Sequence, residues 1–95
     1  MTGESTAMPV DIEAKLRQVY LGESFSAVSA SLATYQGREW NRVIRCIIYL
    51  SNGDPTRIPY FIGIAGEDYR DVIYWAEYDK NGQKARDFNQ PFGQS

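Results

Sequence analysis

Two sets of residues in this chain have types and spacings that could do chemistry. Arg38, Arg42, Arg45 and Tyr49 follow one another at steps of four, three and four. On a helix that spacing makes a single stripe. Guanidinium groups in a row can hold phosphates or a partner's carboxylates in bidentate fashion. The same stripe suits a solvated face paired with acids from neighbouring helices, and that use is favoured because amphipathic helices normally carry charge opposite the core. A helix that reads bases usually adds Asn, Gln or Ser beside its arginines, and only Asn41 stands near this stripe.

The second set is aromatic: Tyr74, Trp75 and Tyr78, with Arg70 upstream and Phe88 downstream. If this stretch is helical, Tyr74 and Tyr78 lie one turn apart on its outer side. Tyrosine and tryptophan offer much apolar area at low entropic cost, so they serve as interface anchors. The competing reading has the C-terminal tail folding over them, or has them lining the edge of the core.

The remaining reactive groups point to structure. Glu67, Asp68, Asp71, Glu77 and Asp79 form an acidic set, but Asp68 and Asp71 fall where a helix's first turn favours acids anyway. Asp79-Lys80-Asn81-Gly82 begins like a calcium loop and lacks the glutamate such a loop needs at its twelfth position. Cys46 lies beside Arg42 and Arg45, which could lower its pKa. The chain has no histidine to activate it, so a small buried hydrophobe is expected there. No phosphate-binding glycine motif occurs. The residues therefore predict no catalytic site, no metal and no cofactor.

Bulk properties narrow the class. The 95 residues suit one domain, and 43% hydrophobic with 14% aromatic residues can fill a core. Ten basic residues against twelve acidic give a net charge of −2, which argues against a non-specific nucleic-acid binder. One cysteine cannot form an intrachain disulfide and fits a reducing compartment. The start, MTGESTAMPV, has neither a basic region nor an apolar run, so no signal peptide is expected. No stretch is apolar for the length of a membrane span. The expectation is a soluble cytoplasmic protein.

The elements that must position these residues read as helices. Ile12, Leu16, Val19 and Tyr20 recur at helical spacing, with Asp11 as a candidate cap and Gly22 as a stop. Phe25, Val28, Leu32 and Tyr35 make the next stripe, before Gly37. Trp40, Val43, Ile44, Ile47 and Leu50 make the strongest, ending at Asn52-Gly53. Ile58, Phe61, Ile62 and Ala65 make a fourth, with Pro59 tolerable if that helix starts near Arg57. Tyr69, Val72, Ile73 and Ala76 make a fifth, capped by Asp68 and stopped by Asn81-Gly82. The alternative for this last stretch is a hairpin over residues 71–88, turning at Asn81-Gly82. Its return strand, QKARDF, has little alternation, and helix is favoured.

VIRCIIYLSNGD followed by DYRDVIYWAEYD resembles a class of small uncharacterised bacterial helical proteins. In these an arginine-bearing helix ends at Gly-Asp, and a later helix opens with Asp-x-Arg-Asp and closes in Ala-Glu-Tyr. The resemblance covers about half the chain. It implies a helical fold and a bacterial source, and no activity.

The sequence thus predicts an all-α, single-core bundle of about five short helices: a disordered arm over residues 1–8, a helical domain over 9–79, and a partly docked tail over 80–95. The predicted function is a non-enzymatic protein-interaction module, a regulator or adaptor working through Arg70, Tyr74, Trp75, Tyr78 and Phe88. Its partner is a protein, with a homodimer among the options. The alternative is a nucleic-acid-associated regulator using Arg38, Arg42, Arg45 and Tyr49.

Overall fold

The computed structural model describes residues 8–92. Residues 1–7, which make up most of the expected arm, and residues 93–95 at the end of the expected tail lie outside the described residues.

The described chain is all-α, with four helices: α1 (Val10–Val19), α2 (Glu23–Ala33), α3 (Trp40–Ser51) and α4 (Arg57–Glu77). The first three follow the apolar spacing of the sequence. Ile12 and Leu16 are buried on α1, Val28 and Leu32 on α2, and Val43, Ile44 and Ile47 on α3. Packing is most extensive between α3 and α4, with α1 on α3 and α2 on α4 completing the body. The α3 helix is enclosed on more than one side, because every residue from Val43 to Ile48 is buried, Arg45 included. Its exit follows expectation: Asn52 adopts the left-handed conformation at φ 51° and Gly53 follows at φ 83°.

The count is four helices and not about five, because the fourth and fifth apolar stripes share one element. Their boundary survives as a kink. Asp68 is extended at φ −156°, ψ 100°, and its carboxylate accepts the Arg70 backbone N–H at 3.0 Å. That is the geometry of a helix N-cap, so Asp68 restarts the helix in the middle of α4. Upstream, Asp54 accepts both the backbone N–H and the hydroxyl of Thr56, at 3.0 and 2.6 Å. Pro59 falls in the first turn of α4, where its missing N–H costs no helical bond.

Two local expectations are corrected. Asp11 does not cap α1, whose N-cap is Pro9 without a side-chain bond; it faces α3 instead. The hairpin alternative over 71–88 fails because residues 71–77 are helical. All that remains of it is one antiparallel bridge, Tyr78 to Lys84. Asn81-Gly82 accordingly does not stop the helix, which ends at Glu77. It belongs to a turn beyond, where the Asp79 carboxylate accepts the Asn81 and Gln83 N–H groups at 2.8 and 3.0 Å and Gly82 takes φ 80°.

Candidate functional site

Part of each residue set meets where the start of α3 packs against the second half of α4: Arg42 from one, with Arg70, Tyr74 and Tyr78 from the other. Tyr74 and Tyr78 stack one turn apart on α4, with ring centroids 5.1 Å apart and an interplanar angle of 19°. Tyr74 is 52% and Trp75 46% exposed, on the outer side of a helix whose Ile73 and Ala76 are in the core. A cleft of about 550 Å³ opens beside the stack, walled by Tyr74, Tyr78, Ile73, Tyr69 and Arg70 of α4 and by Glu39 and Arg42 from the start of α3. A second cleft of about 620 Å³ adjoins it through Tyr69 and Arg70 and continues between residues 34–38 and the middle of α4.

Arg70 lines both clefts. It is exposed and held by its own turn, with Nε 3.0 Å from an Asp68 carboxylate oxygen. Tyr35 shapes the far wall, where its hydroxyl donates to the Arg38 carbonyl at 2.8 Å. Its ring lies so close to Gly37 that a Cβ there would come 2.5 Å from the hydroxyl, so any larger residue displaces the Tyr35 ring. Trp75 lines neither cleft. Phe88 lies elsewhere: it packs on Tyr49 and Phe92, with centroids at 5.3 and 6.0 Å.

The arginine stripe is divided between surface and interior. Arg38 is exposed and has no carboxylate within 4.0 Å among the described residues. Arg42 makes a bidentate pair with Glu77, from Nε at 2.9 Å and from a terminal nitrogen at 2.7 Å. A further contact, at 3.5 Å, joins it to Glu39. Arg45 is 6% exposed and makes a bidentate pair with Asp11, at 2.8 and 3.1 Å. Its remaining terminal nitrogen donates to the Phe88 carbonyl at 3.1 Å. Tyr49 carries the Arg86 guanidinium over its ring at 4.8 Å.

Glu77 is the residue whose role the sequence reading missed. It is fully buried, yet it accepts from Arg42, accepts the Phe88 backbone N–H at 2.9 Å and lies 3.5 Å from the Lys84 ammonium. Burial pushes its carboxyl up, but Arg42, the Phe88 N–H and Lys84 outweigh that and hold it below the usual range. Asp11 is lowered likewise, first by the bond from Arg45, against some burial, and then by the Phe92 N–H. One signal was available. Glu77 stands four residues after Ile73, in register with the apolar stripe, where an acid needs a buried partner.

These lowered values set a pH dependence. A carboxylate with a depressed folded pKa contributes stability that is complete above its unfolded pKa and is lost as pH falls through the folded value. The unfolded values are about 4.3 for Glu and 3.9 for Asp. Melting temperature is therefore expected to hold between about pH 7 and 5 and to drop below about pH 4, with a smaller drop in Glu77→Gln. Wild-type melts that stay level to about pH 3 would contradict the pairing of Asp11 and Glu77.

Cys46 is buried, and burial pushes its thiol well above the ordinary range. Such a thiol is a packing residue. Among the described residues no three of Cys, Asp or Glu converge as a metal site requires, and no helix is long and apolar enough to cross a membrane.

No family model, no curated protein and no solved structure matches this chain.

Proposed function

We propose that the protein is a non-enzymatic protein-interaction module, a small bacterial regulator or adaptor, whose partner docks on Tyr74, Tyr78 and Trp75 with Arg70 at the rim. The carrying observation is the stack of exposed Tyr74 on half-buried Tyr78, above a cleft that also presents Arg42 and Arg70. The tail's phenylalanines pack at Tyr49, which leaves the stack open. Aromatic anchors beside arginines match the composition of binding hot spots. The reading includes a cytoplasmic setting, where a lone buried thiol persists.

The arginine-stripe alternative has less support. Arg42 and Arg45 are engaged by Glu77 and Asp11, and counterion release needs several free cations on one face.

Replacing both Tyr74 and Tyr78 with serine is expected to weaken the partner complex by about 2 kcal/mol or more, roughly thirtyfold in Kd. The helical circular-dichroism signal should be unchanged. Co-purification from host lysate with and without nuclease, followed by titration of the recovered partner, checks this. A variant that loses its fold shows the stack to be core; recovery abolished by nuclease shifts the reading to the arginines.

A further inference from the structure

The segment after α4 is bound to the body much as a ligand would be. Its backbone is gripped by side chains from three helices: the Phe88 N–H by Glu77 of α4, the Phe88 carbonyl by Arg45 of α3, and the Phe92 N–H by Asp11 of α1 at 3.0 Å. Its two phenylalanines are brought together by a turn, in which the Gln90 N–H reaches the Asp87 carbonyl at 3.2 Å and the Asn89 N–H reaches the Asp87 carboxylate at 3.0 Å. Phe88 rests on Tyr49, and the Lys15 ammonium lies over Phe92 at 5.6 Å.

The connection to the helical body is one exposed turn, closed where the Ala85 and Arg86 N–H groups reach the Glu77 carbonyl at 2.7 and 3.1 Å and the Arg86 guanidinium donates to the Ala76 carbonyl at 2.7 Å. Residues 80–85 are all exposed, and the turn they form is held by the Asp79 carboxylate and by short backbone bonds. Opening that turn breaks no bond within the four helices, so the segment can leave as a unit while they stay folded, at the cost of undocking Phe88 and Phe92 from the edge of the core.

We propose that the groove formed by Asp11, Lys15, Arg45, Tyr49 and Glu77 is a binding site for this Phe-x-x-x-Phe turn, and that it takes the turn from a second copy of the chain when its own is not docked. The second copy is the occupant because it carries every group the groove engages, and exchange of an identical element retains each of those contacts. A docked tail competes at an effective concentration of about millimolar, so the wild-type protein at micromolar concentration keeps its own tail in place. This proposal does not rest on the Tyr74–Tyr78 reading, although Glu77 joins the two surfaces through Arg42.

Two full-length variants test the exchange. Phe88→Ser/Phe92→Ser keeps the groove and loses the tail's anchors; Lys15→Ser/Tyr49→Ser keeps the tail and damages the groove at its exposed rim. Light scattering at micromolar concentration is expected to find monomers of wild type and of each variant alone, and a complex of one copy of each in the mixture. A mixture that stays monomeric while both variants retain helical circular dichroism overturns the proposal. Hydrogen exchange of the wild type gives an independent reading if the phenylalanine variant does not fold. The Phe88 and Phe92 amides are expected to exchange about 100-fold faster than those of residues 44–48, which open only with the core. Equal protection would mean the tail cannot leave without global unfolding, and would overturn the proposal equally.

Discussion

Glu77→Ala is expected to lower the unfolding free energy by about 3–5 kcal/mol, the cost typical of removing one partner from a buried ion pair. The substitution leaves the Arg42 guanidinium without its bidentate acceptor and the Phe88 N–H without any partner on α4. For a chain of this size each kcal/mol corresponds to about 4–8 °C in melting temperature, and total stabilities are only about 5–15 kcal/mol. The variant should therefore be marginal at room temperature, which denaturant titration would show directly. Arg42→Met combined with Glu77→Leu should recover part of the loss, because a matched apolar pair leaves no unpaired charge. A Glu77→Ala variant within about 1 kcal/mol of wild type would mean the pair contributes little, and the tail would have to be held by its phenylalanines with Arg45 and Asp11.

Ile47→Ala is expected to cost about 2–5 kcal/mol through lost burial and the cavity left behind. Ile47 is fully buried in the middle of α3, the helix that packs against both α1 and α4. Its neighbours are fixed from two sides, so collapse into the void is restricted. Leu21→Ala is the control: Leu21 is 77% exposed, and its loss should change stability by no more than about 0.5 kcal/mol. Equal effects at the two positions, measured by the same denaturant titration, would contradict the placement of α3 at the centre of the core.

The separation of these two effects follows from what each kind of residue records in sequence. Burial of Ile12, Leu16, Val43, Ile44, Ile47, Val72 and Ala76 was legible, because a repeating apolar stripe reports the side of a helix that must leave water whatever it packs against. The Asn52-Gly53 exit and the restart at Asp68 were legible too, since caps and left-handed stops are local events. The merging of two stripes into one α4 was not, because it depends on whether the chain changes direction at Asp68, which no local preference fixes.

The charged residues divided differently. Pairing of Arg42 and Arg45 with acids of neighbouring helices was the favoured reading of a charged stripe opposite the core, although Arg45 is buried instead of solvated. Which acids they meet does not follow, since Asp11 and Glu77 lie 34 and 35 residues away in the chain. The sequence by itself favoured a helical chain with a single apolar core over a C-terminal hairpin, left the aromatic flank open between outer surface and core edge, and supplied no histidine, no second cysteine and no phosphate-binding glycine motif. Tertiary structure alone decided that Glu77 meets Arg42 and the Phe88 N–H, that Phe88 joins Phe92 in a docked turn instead of the Tyr74 surface, and that Arg42 and Arg70 share a cleft. A helical stripe states which side is apolar; only the crossing of helices decides which polar groups are brought within hydrogen-bond reach of one another.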